Sequence, residues 1–288
     1  MKIAFLGLGV MGFPMAGHLA AKGFDVAVYN RTPEKSARWT AAHEGRAFAD
    51  PSGAVAGAAL VFACLGDDPD VEAVLAEAGP AVSRGAVIVD HTTASPALAR
   101  RLSDGFRARG IGFVDAPVSG GQAGAQNGKL SVMCGGEGGD VERARPAMEA
   151  YAARIVHVGP SGHGQLCKAV NQICIAGIVQ GLSEGVHFAK AAGLDLDRVY
   201  EAISGGAAQS WQMNNRMKTM AEGRFDFGFA VDWMRKDLRI ALEEARASGA
   251  QLPVTALVDQ FYADIQSVEG GRLDTSSLVL RLKQRRGA

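Results

Sequence analysis

Residues 2–12 read KIAFLGLGVMG, five β-prone residues running straight into a GxGxxG turn, and a helical pattern, FPMAGHLAAK, opens directly behind it. That context gives the glycines their meaning. A strand that turns sharply into a helix aims the helix's first N–H groups and the positive end of its dipole at one point, where a pyrophosphate can be held. In that frame Gly7 permits the tight turn, Gly9 lets the backbone approach the phosphates, and Gly12 lets helix and strand pack closely. The whole loop, Gly7, Leu8, Gly9, Val10, Met11 and Gly12, is the expected dinucleotide cradle; the plain alternative is a tight βα turn without a ligand.

Outward from this turn, β-rich runs alternate with longer helical patterns: DVAVY at 25–29, LVFACL at 60–65, AVIVD at 86–90, GFVDA at 112–116, LSVMC at 130–134 and RIVHV at 154–158. A helical stretch near 139–151 separates the last two. Such alternation predicts about seven strands in a Rossmann-type, doubly wound α/β domain, its parallel sheet flanked by helices. After Gly164 only helical spacing remains, beginning with a long segment over 165–192 that is apolar or small on most faces, as suits a buried helix joining two domains. Further on, Met234, Leu238, Ala241, Leu242 and Ala245 form one stripe, and Gly193, Gly205, Gly206, Gly249, Pro253, Gly270 and Gly271 stand where helices should stop. The expected division is a dinucleotide-binding domain over 1–162 and an all-α substrate and oligomerisation domain over 163–288. The closing basic run at 281–286 reads as a solvated helix end.

Composition narrows the class of partner. With 288 residues, 48% of them hydrophobic, the chain can bury a sizeable core. Thirty basic residues balance thirty acidic ones, so no global field favours nucleic acid or an anionic membrane, and a small anionic substrate needs a local site. The four cysteines, Cys64, Cys134, Cys167 and Cys174, show no CxxC pair or zinc-ligand spacing, so no metal is expected and reduced thiols in a cytoplasmic protein fit best. The opening MKIAFLGLG reads as a strand, not a signal peptide, and the uncharged stretches 51–66 and 169–183 stop short of a membrane span of ~20 apolar residues.

The end of the second predicted strand speaks to the coenzyme. Where a carboxylate would hold the ribose hydroxyls of NAD, the chain reads Asn30, Arg31, Thr32. Arg31 can offer its guanidinium fork to a 2′-phosphate, with Thr32 and Lys35 as further donors, so NADP is expected in preference to NAD. An arginine here also stacks on adenine in NAD enzymes, so NAD stays open. By the switch-point rule, 65–68 and 91–95 border the same crevice, with Leu65 and Thr93 as expected contacts. Ser95 followed by Pro96 reads equally well as a helix N-cap.

Four ordered blocks, FLGLGVMGFPMAGHL at 5–19, DAPVSGG at 115–121, GHGQLCKAVNQ at 162–172 and KDLRIALEEA at 236–245, together resemble the β-hydroxyacid dehydrogenase family, which includes 3-hydroxyisobutyrate dehydrogenase and the glyoxylate and succinic semialdehyde reductases. The resemblance implies that Ser119, Gly120 and Gly121 bind a substrate carboxylate, that Lys168 is catalytic, and that Lys236 reaches the coenzyme side of the site from the helical half. Local chemistry agrees, because a Ser-Gly-Gly turn brings a hydroxyl and unhindered N–H groups to one anion. Lys168, Asn171 and Gln172 share one face of an apolar helix, a costly cluster unless it faces a polar cleft. Asn171 and Gln172 are therefore expected to hold the substrate or orient the amine. Gln172 stands where the family commonly has Asn, and Thr92 with Thr93 where it commonly has a Ser-Thr pair. Imine reductases resemble the family but generally lack the lysine, so Lys168 points to carbonyl and alcohol chemistry.

These readings combine into an NADP-preferring oxidoreductase acting on a small β-hydroxy acid or the matching semialdehyde, with Lys168 as general acid and base. The alternatives are an NAD-dependent enzyme of the 3-hydroxyisobutyrate type and a non-catalytic dinucleotide sensor. The apolar helix implies a homodimer or homotetramer. Trp211, Met213, Asn214 and the stretch 229–233 are expected to line or close the pocket, with helical core as the plain alternative, and no site role is assigned to them.

Overall fold

The computed structural model describes residues 1–282, so the basic residues at 283–286 lie outside them. Among the described residues nine strands form one sheet: β1 (Lys2–Leu6), β2 (Asp25–Tyr29), β3 (Arg46–Ala47), β4 (Leu60–Ala63), β5 (Val87–Asp90), β6 (Gly112–Asp115), β7 (Val118–Ser119), β8 (Leu130–Gly136) and β9 (Ala152–Gly159). Their order is β3-β2-β1-β4-β5-β6-β8-β7, with β9 also paired to β8. The first six run parallel, as the alternation predicts. The order reverses between β1 and β4, which sets the GxGxxG loop and the loop after β4 at the switch point where doubly wound folds bind ligands.

Both faces of the central strands β1, β2, β4, β5 and β6 are covered, which explains why they read as unbroken apolar runs, whereas β9 is largely exposed. Ile3 and Phe5 pack on one side with Val26, Val28 and Phe62, while Ala4 and Leu6 pack on the other with Val61, Ala63 and Ile88. Two features differ from the sequence reading. β8 runs antiparallel to β6 and β7, because the chain reverses through the turn after Asp115 and the short helix Gly121–Gln126. β3 and β7 have two residues each, too few for any periodic pattern to announce.

The chain divides into two compact units, Met1–Lys168 and the part from Ala169 onward. The boundary falls within the helix His163–Ala191. The second unit has no strand among its described residues; helices Leu196–Ile203, Trp211–Glu222, Val231–Ser248 and Pro253–Gln266 follow the long one, with two 3-10 segments after them. Gly249 closes Val231–Ser248 and Pro253 opens the next helix, where the punctuation places them. Met234, Leu238, Ala241 and Ala245 of the predicted stripe are buried. Trp211 and Trp233 do not take the core alternative: both are substantially exposed, and each carries a cation over its ring, Arg216 at 5.1 Å and Lys236 at 5.8 Å. The helix His163–Ala191 has the length and apolar composition of a membrane span, more than the stretch 169–183 suggested. One face of it is buried, Ala176, Val179, Leu182 and Val186 packing on Met213, Met217, Met234 and Tyr262 within the second unit, while Val170, Ile178 and Phe188 are exposed.

Candidate active site

In the first unit the glycine loop is stitched to the sheet. Gly7 N–H donates to Tyr29 O at 2.8 Å, and Leu8 N–H donates to Asn30 Oδ1 at 2.8 Å. Asn30 therefore braces the turn, and its amide nitrogen donates onward to Thr32 O at 3.1 Å. A Cβ on Gly12 would lie 2.0 Å from Gly7 O, so only glycine lets the helix Gly12–Ala21 come this close. Gly9 is different: a Cβ there meets nothing within 4 Å. No side chain caps this helix, and the first-turn N–H groups around Val10 and Met11 adjoin the open space beside Gly9, an arrangement a pyrophosphate fits.

Arg31 follows β2 with its side chain 84% exposed and ion-paired to Asp70 Oδ1 at 3.0 Å. A ribose phosphate would meet the guanidinium in competition with that carboxylate. Thr32 is the N-cap position of Pro33–Ala42, and its side chain makes no cap bond there. The loops after β4 and β5 are laced together, because Leu65 N–H donates to Thr92 Oγ1 at 2.9 Å and Asp68 accepts from Ser95 N at 2.7 Å and Ser95 Oγ at 2.5 Å. Thr93 sits half-buried between them. Ser95 also caps Pro96–Arg107, with Pro96 first in the helix, as its sequence context predicts.

Ser119 ends β7, and Gly120 and Gly121 lead from it into the short helix Gly121–Gln126. Gly120 has φ 130° and Gly121 φ 62°, both in the region that L side chains avoid, so the Gly-Gly pair is required by the backbone. Lys168 is 7% exposed, and its ammonium donates to Val118 O at 2.8 Å, one residue before Ser119. The amine and the Ser-Gly-Gly turn, from widely separated sequence blocks, are thus brought close together.

A second buried network was missed by sequence reasoning. His91, after β5, meets Ala116 O through Nδ1 at 2.6 Å and the Tyr151 hydroxyl through Nε2 at 2.8 Å. A carbonyl can only accept, so Nδ1 bears the proton and Nε2 accepts from the phenol. Asp115, fully buried at the end of β6, accepts from Gly162 N at 2.7 Å and Gln165 N at 3.0 Å. Burial pushes the Asp115 carboxyl up to about 6, although its hydrogen bonds pull it down, and burial pushes the His91 imidazole down to about 4.

These shifts oppose each other in the stability profile. Folded Asp115 keeps a proton that the unfolded chain has already released, so its contribution is lost as pH rises through about 6. Unfolded His91 binds a proton that the folded imidazole refuses, so its contribution is lost as pH falls through about 4. Removing the first slope should expose the second. Urea unfolding of Asp115→Asn should show a gain between pH 4 and 6.5 larger than that of the unmodified chain by up to about 3 kcal/mol. Parallel profiles for the two proteins would contradict the opposed pair.

In the second unit Gln172 is fully buried with both ends of its amide engaged: Oε1 accepts from Asn171 Nδ2 at 2.7 Å, and Nε2 donates to Asp237 Oδ2 at 2.6 Å. Lys236 pairs with Asp237 Oδ1 at 3.1 Å. Asp237 thereby joins the two blocks that hold Gln172 and Lys236, and Gln172 in turn orients Asn171. The signal for Asp237 was present in the KDL triplet, where an acid lies four residues before the stripe position Ala241 and so faces inward.

Two family models match the chain. The NAD binding domain of 6-phosphogluconate dehydrogenase matches residues 2–159, and the NAD-binding region of NADP-dependent 3-hydroxyisobutyrate dehydrogenase matches residues 162–282. An oxidoreductase of Shewanella frigidimarina (strain NCIMB 400) is 56% identical over 99% of both chains. The 2-hydroxy-3-oxopropionate reductase of Escherichia coli (strain K12) is 36% identical over 98% of this chain and 97% of its own length. Among solved structures, the 3-hydroxyisobutyrate dehydrogenase of Mycobacterium tuberculosis with L-serine superposes with a TM-score of 0.89 at 30% identity, covering 98% of this chain and 99% of that one.

Proposed function

We propose, from the premise that this chain belongs to the β-hydroxyacid dehydrogenase family and is an NAD(P)-dependent oxidoreductase of that kind, that it interconverts a small β-hydroxy acid and its semialdehyde or oxo acid with Lys168 as acid and base. Membership of an enzyme family sets aside the sensor reading. The dinucleotide, held at the Gly7–Gly12 loop, supplies the hydride chemistry when bound. Ser119, Gly120 and Gly121 hold the substrate carboxylate, which fixes the reacting carbon in one orientation. Lys168 gives its proton to the carbonyl oxygen during reduction and takes one back in the reverse direction. Asn171, one helical turn beyond Lys168 and held by Gln172, orients the substrate oxygen or the amine, and Lys236 is assigned to the coenzyme side.

One observation carries this reading: the buried amine of Lys168 hydrogen-bonds the residue directly before the Ser-Gly-Gly turn. The substrate class follows from the same turn, which suits one carboxylate on a short molecule. Two relatives are named for such compounds, 2-hydroxy-3-oxopropionate and 3-hydroxyisobutyrate. We place the enzyme in the cytoplasm on the dispersed spacing of its four cysteines, which contains no CxxC pair. Val170, Ile178 and Phe188 lie exposed on one long helix, which fits a homo-oligomer.

NADP is the proposed coenzyme because Arg31 follows β2 with no carboxylate among residues 30–32. NAD remains the second reading, favoured by the Asp70 carboxylate that already engages Arg31. The test is coenzyme oxidation with NADPH and NADH over glyoxylate, succinic semialdehyde, methylmalonate semialdehyde and 2-hydroxy-3-oxopropionate, repeated for Arg31→Ala. Turnover with at least one of these, and a KM for NADPH raised about tenfold against a smaller change for NADH, is the expected result. Equal changes for both coenzymes would count against phosphate recognition, and inactivity across the panel against the substrate class.

A further inference from the structure

We propose that Asp115 and Gln165 are positioning residues for Lys168: they lock the first turn of the helix His163–Ala191 onto the ends of β5 and β6 and so hold the amine at the Ser119–Gly121 turn. The inference rests on the reading of Lys168 as the acid–base group.

The argument begins with an unusual helix start. Leu166 N–H donates to Gly162 O, which makes Gly162 the N-cap residue and Gln165 the third residue of the helix. An N-cap side chain ordinarily accepts from the N–H of that third residue, but Gly162 has no side chain to do so. Asp115 supplies the acceptor from β6, taking Gly162 N–H on Oδ1 and Gln165 N–H on Oδ2, with Ser161 Oγ at 3.4 Å from Oδ1. A carboxylate at a helix N-terminus also meets the positive end of the dipole. The cap of this helix is therefore built from a distant strand.

Gln165 completes the lock. It is 2% exposed, its Oε1 accepts from Ala94 N at 3.1 Å, and its Nε2 donates to Thr92 O at 2.7 Å, so the side chain satisfies two backbone groups of the loop after β5. Nothing separates the helix from the sheet at this point. A Cβ on Gly164 would lie 2.4 Å from both Asp115 O and Met133 O, and a Cβ on Gly135 would lie 2.6 Å from Gly164 N. Lys168 follows Gln165 by three residues, so its direction is set by this first turn. The same β6 residue that caps the helix leads into the turn that receives the amine.

In Asp115→Asn one of the two backbone N–H donors must face an amide NH2, and in Gln165→Leu both loop bonds disappear. Each change should lower kcat by roughly 10- to 100-fold through displacement of the amine, while coenzyme KM moves less than about twofold. Two readouts separate positioning from a general loss of structure. In a Lys168→Ala background either substitution should cost almost nothing more, because its effect passes through the absent amine. Acetylation of Lys168 by acetic anhydride, followed by mass spectrometry on the coenzyme-free protein, should proceed several-fold faster once the lock is broken. Additive losses in the double variants, or unchanged labelling, would overturn the proposal. Should Asp115→Asn fail to fold, Gln165→Leu decides by the same measurements. Lys168→Ala with near-normal turnover would defeat the acid–base reading by itself, while the labelling experiment still reports whether these residues position the amine.

Discussion

Lys168→Ala should lower turnover by about 10²- to 10⁴-fold, the range ordinarily supplied by a positioned general acid or base. The side chain is 7% exposed and bonded to Val118 O, so the loss is of a held amine and not of a surface charge. Removing it also leaves that carbonyl without its ammonium donor, at a stability cost of about 1 kcal/mol, too small to unfold a domain of this size. Lys168→Arg should not restore activity, because a guanidinium spreads its charge over a rigid fork and does not give up a proton at neutral pH. Coenzyme affinity, measured by fluorescence titration, should stay within about twofold. Near-normal turnover of the alanine variant with coenzyme bound would reject the role.

The fold was readable wherever burial imposed a period. β1, β2 and the helix Val231–Ser248 fall at the residues their patterns marked, because a strand covered on both faces and a helix with one buried stripe each leave a long signature. The two-residue strands β3 and β7 left none, and the reversal at β8 depends on how one turn is directed, which no hydrophobic pattern encodes.

For the candidate site, sequence blocks pointed to residues whose proposed chemistry is local: the glycine loop, the Ser-Gly-Gly turn and Lys168. What they could not name are residues whose meaning lies in a partner far along the chain. Asp115 read as the end of a strand until its oxygens met Gly162 and Gln165, 47 and 50 residues later. Gln165 read as the first residue of a helix, and Asp237 as one charge among several in a helical stretch. Buried polar groups are hydrogen-bonded almost without exception, so each apolar stretch containing an Asp, Gln or His implies a partner without saying where it lies. His91, in the apolar surroundings of AVIVDH, is the clearest case: its partners, Ala116 and Tyr151, lie in two other parts of the first unit.

Gly9 and Gly12 of the GxGxxG loop should part company when each is replaced by alanine. At Gly12 the new methyl would stand 2.0 Å from a backbone carbonyl oxygen, and neither the helix nor the turn can yield without shifting the loop. Overpacking of this kind costs about 1–3 kcal/mol, so Gly12→Ala should melt several degrees lower and bind coenzyme at least about tenfold more weakly. At Gly9 the methyl enters open space and the backbone is not in the left-handed region, so alanine there should leave the melting temperature of the coenzyme-free protein unchanged or slightly raised. Yet that open space is where the loop and the helix N-terminus would receive the pyrophosphate, and a methyl occupying it should weaken coenzyme binding about as severely as the change at Gly12. Thermal melts paired with coenzyme titrations of both variants test the contrast. If Gly9→Ala binds coenzyme as tightly as the unmodified chain, the phosphates lie elsewhere and the loop is only a tight turn.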